Sequence, residues 1–227
     1  MLSHLARVFR PYGNCVAYLS QRLIGRGTGI NALYFPNLLI HPIIYINPQK
    51  VERVISLSIK PNRGNCYFMD GDWSNYLETI AERQARDPKY QTTSEIILQR
   101  MPINKTAETE WVQEKIRERG SYRGYTSAVE YMKKIEGLYL SLQKFGYRRS
   151  LQEKLFPWSG GIECVIGKDL ELIKINAGNH RFYGAYVLGL SSIPVKVCAI
   201  DASYMREGAS PLNTVRNIQA SVQKKYA

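Results

Sequence analysis

The chain has 227 residues, enough for one domain with its own buried core and a small appendage. Its 31 lysines and arginines against 19 acidic residues give a net charge of +12, which favours an anionic partner: a nucleotide, a nucleic acid, a phosphorylated sugar or a membrane surface. No apolar run approaches the roughly 20 residues of a spanning helix, no leader with a continuous apolar stretch is expected, and four scattered cysteines with three histidines give neither a C-x-x-C pair nor zinc-finger spacing, so reduced thiols in a cytoplasmic protein are expected.

Leu2, Leu5, Val8, Phe9, Val16, Leu19, Leu23 and Ile24 recur at helical spacing with Arg7, Arg10, Arg22 and Arg26 between them. Residues 1–36 therefore read as an amphipathic helical segment, packed on its own domain or lying on an acidic membrane surface as a peripheral contact. Ile43 to Ile46 and Val54 to Ile59 have strand character, with a turn at Asn47-Pro48. Cys66 to Met69 is another short apolar run, and it delivers Asp70-Gly71-Asp72-Trp73. Two carboxylates around a glycine suit Mg²⁺ or a general base; equally, Asp72 can cap the next helix while Trp73 packs on the core.

Ser74 is placed to cap a helix over Asn75 to Arg86, stopped before Pro88. Further helices fit Thr93 to Gln99 and Ala107 to Arg119, the latter with Thr106 as cap, Glu108 and Glu110 in its first turn, Arg117 and Arg119 in its last, and Gly120 beyond. Rich in charge and poor in large apolar residues, these helices read as a cover or insertion at about 74–125. Ser127 and Glu130 form a capping box for a helix whose stripe is Val129, Met132, Ile135, Leu138, Tyr139, Leu142 and Phe145. Arg148, Arg149 and Gln152 follow as a basic turn. Glu163 to Gly167 and Leu170 to Asn176 read as a hairpin.

From Leu170 to Ile200 the pattern is strand, glycine turn, helix, strand. Asn176, Ala177 and Gly178 break the first strand; a helix fits His180 to Leu188 and ends at Gly189; Ile193 to Ile200 is β-branched. Such a turn aims the amides of Gly178, Asn179 and His180 outward at the positive end of a helix dipole, where a phosphate binds, and Arg181 adds a fork of donors. The plainer alternative is a tight connection in which Gly178 only makes the bend. After Asp201, residues 203–227 read as a polar helical tail over Asn213 to Lys225.

The run from Asn176 through Gly178-Asn179-His180-Arg181 to Ile193-Pro194-Val195, with the preceding helix ending at Gly146, resembles the ParB/sulfiredoxin superfamily signature over roughly Ser127 to Asp201. Asp70-Gly71-Asp72-Trp73 is similar to a motif of standalone ParB-like proteins. The resemblance implies an α+β fold, a small mixed sheet with flanking helices over residues 37–202. It also implies nucleotide binding: Asn176, Gly178, Asn179, His180 and Arg181 around the phosphates, and Arg148, Arg149 and Gln152 on a wall of the pocket. Sulfiredoxins carry a cysteine where Asn179 stands, which argues against sulfinic acid repair. Partition proteins follow this domain with a helix-turn-helix module, for which only about 26 residues remain. The nearest pattern is that of free-serine kinase-type enzymes. The expectation is therefore a phosphotransferase using ATP or ADP, with CTP as a variant, and Mg²⁺. Asp70 or Asp72 would act as base or metal ligand, and His180 and Arg181 at the transferred group. The alternatives are a nucleotide-controlled or nucleic-acid-binding protein without activity, and a nuclease.

Overall fold

The computed structural model describes residues 32–33, 43–55, 67–69, 77–149, 161–175, 177–204 and 211–227 (backbone alone for 32–33, 67–69 and 211–212). Over these the chain is α+β: a mixed sheet with helices stacked on it. The N-terminal segment expected to be helical lies almost wholly outside the described residues.

The sheet has eight strands: β1 (Ala32–Leu33), β2 (Ile43–Ile46), β3 (Arg53–Ile55), β4 (Tyr67–Met69), β5 (Leu77–Thr79), β6 (Ile162–Ile166), β7 (Leu172–Lys174) and β8 (Ile193–Asp201), in the order β1-β4-β8-β6-β7-β3-β5 with β2 also on β8. Every residue of β6, β7 and β8 is buried, which explains their continuous apolar composition: both sheet faces are covered. β8 is long enough to share one edge between two partners. Its amino half pairs antiparallel with β2, Ile43 opposite Lys196, and its carboxyl half parallel with β4, Met69 opposite Asp201. On its other edge runs β6, parallel, with a bulge that carries Cys164 opposite Val197 and Val165 opposite Ala199. The bulge reverses the facing of β8: Val195 and Val197 join one core with Ile200, while Ala199 turns to the other. β7 returns antiparallel to β6, and β3 runs parallel to β7.

Six α-helices are described: α1 (Ile80–Arg86), α2 (Pro88–Ile97), α3 (Ala107–Arg119), α4 (Ala128–Phe145), α5 (Asn179–Val187) and α6 (Pro211–Tyr226). α5 and α6 lie on one face of the sheet. Phe182, Tyr183 and Ala185 from α5, and Val215, Ile218, Val222 and Tyr226 from α6, pack there with Ile44, Ile166 and Val195. α2, α3 and α4 form a further layer on α5, with their own core of Val112, Met132, Ile135, Tyr139 and Leu142. Gly184 permits the close approach of α4: a Cβ there would lie 2.7 Å from a Leu142 methyl.

Several expected boundaries move. Leu77–Thr79 is a strand paired with β3, and the helix expected from Asn75 starts only at Ile80, under a capping box of Thr79 and Glu82. The helix before Pro88 does end at Arg86, as expected, but Pro88 also opens α2, since its fixed φ suits a first helical residue and Asp87 caps the end by accepting from Lys89 N–H at 3.0 Å. On α4 the buried face is rotated: Ala128 and Tyr131 are buried, while Val129 and Phe145 are exposed. Thr106 is the N-cap residue of α3 as expected, but its side chain makes no capping bond, its hydroxyl donating instead to the Ile103 carbonyl at 3.0 Å. The C-terminal helix is not a polar tail but an amphipathic one seated in the main core.

Candidate functional site

β7 ends at Lys174, and four residues later Gly178 caps α5 with φ 71° and ψ 29°. Glycine is required there twice over. The conformation is left-handed, and a Cβ would sit 2.4 Å from the Gly161 carbonyl oxygen and 2.8 Å from the Ile162 Cα. The first bond of α5 runs from Phe182 N–H to the Gly178 carbonyl at 2.9 Å. The amides of its first turn are therefore beyond the carbonyls of their own helix, at the positive end of its dipole. Gly178, Asn179 and Arg181 are half-buried. The turn opens at the carboxyl ends of the adjacent parallel strands β3 and β7, the edge of an α/β layer where ligands commonly lodge.

Under the turn lies Lys174, 1% exposed. Its ammonium donates to the carbonyls of Ile175 and, at 2.5 Å, Ala177, and to Asn179 Oδ1 at 3.0 Å. It also lies 5.7 Å from the centre of the Phe182 ring. Burial pulls its pKa down from 10.5 to about 8. Nearby, at the end of β3, Arg83 reaches the Ile55 carbonyl at 3.4 Å and Glu78 at 2.8 Å, and Arg86 also pairs with Glu78.

The His180 imidazole turns away from the turn and into the helical layer. Its Nε2 lies 2.8 and 3.0 Å from the two carboxylate oxygens of Glu108, which is fully buried. Tyr131 and Tyr139 of α4 stand around the ring with centroids 6.4 Å away, and burial raises both phenols well above their ordinary range, with the Glu108 charge a smaller cause. Glu108 is held at the start of α3, its N–H donating to Thr92 Oγ1 at 2.7 Å, next to an Ala107 N–H bound by Glu95 at 2.9 Å. The expectation that the His180 side chain faces the phosphates is thus corrected: its backbone stays at the turn, and its side chain ties α5 to α3.

The other expected site residues fall differently. Arg181 is in the first turn of α5. Arg148 is exposed and stacks over the Phe145 ring at 4.2 Å, and Arg149 is half-buried beside it. Asn176, Gln152, Asp70 and Asp72 lie outside the described residues. β4, the strand ahead of Asp70, ends at Met69 level with Asp201, whereas Ile162, against which Gly178 packs, is level with Val195. About six residues of β8 separate those levels, roughly 20 Å along the sheet. No group of three metal-ligating side chains assembles among the described residues. No helix among them is long and apolar enough to cross a membrane. A surface depression of about 370 Å³ at the other end of β7 is lined by Lys50, Lys168 and Lys225 balanced by Glu52, Asp169 and Glu171, and its mixed charge gives an anion no preference for it.

Sequence reasoning had no signal for Glu108 beyond a first-turn carboxylate suited to the dipole, and none for Lys174, which reads as the polar member of an alternating strand. In comparisons with known proteins, no family model, no curated protein and no solved structure matches the chain.

Proposed function

We propose that the protein binds the phosphates of a nucleotide at the N-terminus of α5 and transfers a phosphoryl group to a small hydroxyl compound, on a sheet of the ParB/sulfiredoxin type. The observation that carries the reading is the left-handed Gly178 cap, which starts α5 at the carboxyl ends of β3 and β7 with Arg181 in its first turn. Phosphoryl transfer asks little covalent chemistry of a protein, so positioning and fixed positive charge suffice. The acceptor oxygen attacks the terminal phosphorus, the bond to the bridging oxygen breaks, and the nucleotide leaves one phosphate shorter. The side chain of Arg181 offsets the charge spread over the transferred group. Asp70 and Asp72, expected as base and Mg²⁺ ligands, follow a strand that ends roughly 20 Å from the turn along the sheet, so in this reading the acceptor's proton goes to solvent and any Mg²⁺ arrives with the nucleotide.

A charged hydrogen bond from Arg181 is worth roughly 1.5–3 kcal/mol, so Arg181→Ala should weaken ATP binding about ten- to a hundredfold by calorimetry. Unchanged affinity removes the assignment. The net charge of +12 supports a second reading, nucleic-acid binding without catalysis. It requires affinity for single-stranded DNA that falls steeply with salt, and a binding assay at two salt concentrations separates the two.

A further inference from the structure

We propose that Lys174, which no sequence motif marks, is the fixed cation of the anion site, its buried ammonium without a carboxylate in contact until a phosphate docks on the turn above it. The inference rests on the anion-binding reading of that turn and adds a residue to it.

Buried charges in proteins are paired, because an isolated ion loses its hydration without return. Lys174 departs from that rule. All three of its N–H donors are used, yet every acceptor is a neutral oxygen: two backbone carbonyls and the Asn179 side-chain carbonyl. No carboxylate of the described residues forms an ion pair with it. Glu163, on the neighbouring strand, favours the ammonium only through space, its carboxylate being ion-paired with Lys196 at 2.8 Å. Cys164, its register partner on β6, is held as a neutral thiol, burial pushing its pKa up to about 12. Cys198 of β8 and Arg83 of α1 are the remaining titratable neighbours, and Arg83 adds positive charge. From α5 come the neutral Phe182 ring and Asn179.

The three acceptors share one property: all belong to the turn or its approach. Ile175, Ala177 and Asn179 lie on either side of Gly178, so the ammonium holds the loop in the shape that presents its amides. The same ammonium sets a whole positive charge behind them in a medium of low dielectric, where charge acts further than in water. A lysine needed only for shape would not require charge of this kind, and a neutral amide could cap the same carbonyls. A site for a multiply charged phosphate does require it.

Proton linkage gives a test that a purely structural lysine would not pass. A pKa near 8 leaves the amine half-protonated at pH 8, and a docked phosphate favours the charged form. ATP is already fully ionised there. Calorimetric titration of the full chain with ATP at pH 8, in buffers of differing ionisation enthalpy, should therefore show uptake of roughly half a proton per ATP, and affinity should fall about tenfold from pH 7 to pH 9. Lys174→Met should bind ATP about tenfold more weakly at pH 7, with no uptake and a flat profile. Binding by the unaltered chain without proton uptake and without pH dependence overturns the role of Lys174 while leaving the anion site in place, and this holds even if Lys174→Met fails to fold. Equal ATP affinity in the unaltered chain and Arg181→Ala instead removes the site, and the role of Lys174 with it.

Discussion

Replacing Gly178 by alanine tests whether the turn has the shape described. Two costs add. An L-residue held at φ 71° loses about 1–2 kcal/mol to the clash of its Cβ with its own backbone. The new methyl must also fit where the Gly161 oxygen is 2.4 Å, the Ile162 Cα 2.8 Å and the Gly161 carbonyl carbon 2.9 Å away. Favourable contacts between carbons need about 3.5–4 Å. All three atoms are backbone at the start of a strand buried on both faces, so they cannot swing aside as a side chain would. Overpacking of that kind costs about 1–3 kcal/mol. The sum is roughly 2–5 kcal/mol, a large part of the 5–15 kcal/mol that holds a typical domain folded. Urea unfolding reads it directly, and two further glycines calibrate it. Gly120 caps α3 at φ 76° with nothing near a Cβ, so Gly120→Ala reports the backbone strain alone, about 1–2 kcal/mol. Gly137 is an exposed residue inside α4 with open space around it, so Gly137→Ala should stabilise by about 0.5–1 kcal/mol. If Gly178→Ala costs no more than Gly120→Ala, the close packing of the turn on Gly161 and Ile162 is refuted.

Glu108→Ala leaves the buried imidazole of His180 without its partner and should cost about 3–5 kcal/mol in chemical unfolding, whereas Glu108→Gln keeps an acceptor and should cost about 1–2 kcal/mol; equal losses in both would contradict the pairing. Gly184→Ala pushes a methyl against Leu142 and Tyr139 and should destabilise by about 1–3 kcal/mol, with loss of near-ultraviolet circular dichroism from the tyrosine-rich layer; a neutral effect would mean that α4 and α5 are further apart. Because Lys174 has a folded pKa of about 8 against 10.5 for an ordinary lysine, the unfolded chain holds more protons between those values, so this residue makes stability rise with pH there. Its contribution from pH 8 to pH 9.5 is roughly 1–2 kcal/mol, seen as the difference in slope between the unaltered chain and Lys174→Met in urea unfolding, and parallel slopes would refute it. Above pH 10 the sign reverses, since the raised phenols of Tyr131, Tyr139 and Tyr183 keep their protons in the folded state longer than in the unfolded one.

The sequence was most informative where one local rule acts alone. The Met132, Ile135, Tyr139 and Leu142 part of the α4 stripe, the charge gradient and terminal Gly120 of α3, and the strand–turn–helix–strand order from Leu172 to Asp201 all follow from spacing and caps, and all recur in the fold. It was least informative where a neighbour decides. Leu77–Thr79 is too short for alternation to show, and only pairing with β3 makes it a strand. α6 has Val215, Ile218, Val222 and Tyr226 at helical spacing, but the lysines and polar residues between them lower its mean hydropathy enough to pass for a surface helix. At the site, the glycine and the helix start are local and readable. The burial of Lys174 depends on α5 folding back over β7, and the His180–Glu108 contact joins residues 72 apart in sequence, so neither leaves a pattern in the chain.

The central claim is that a phosphate docks on the amides at the start of α5. Following the amide resonances of the isotopically labelled chain while ATP is added tests it at the atoms concerned. The largest shifts are expected at Gly178, Asn179, His180 and Arg181. Saturable ATP binding that moves other amides and leaves those four in place would contradict it.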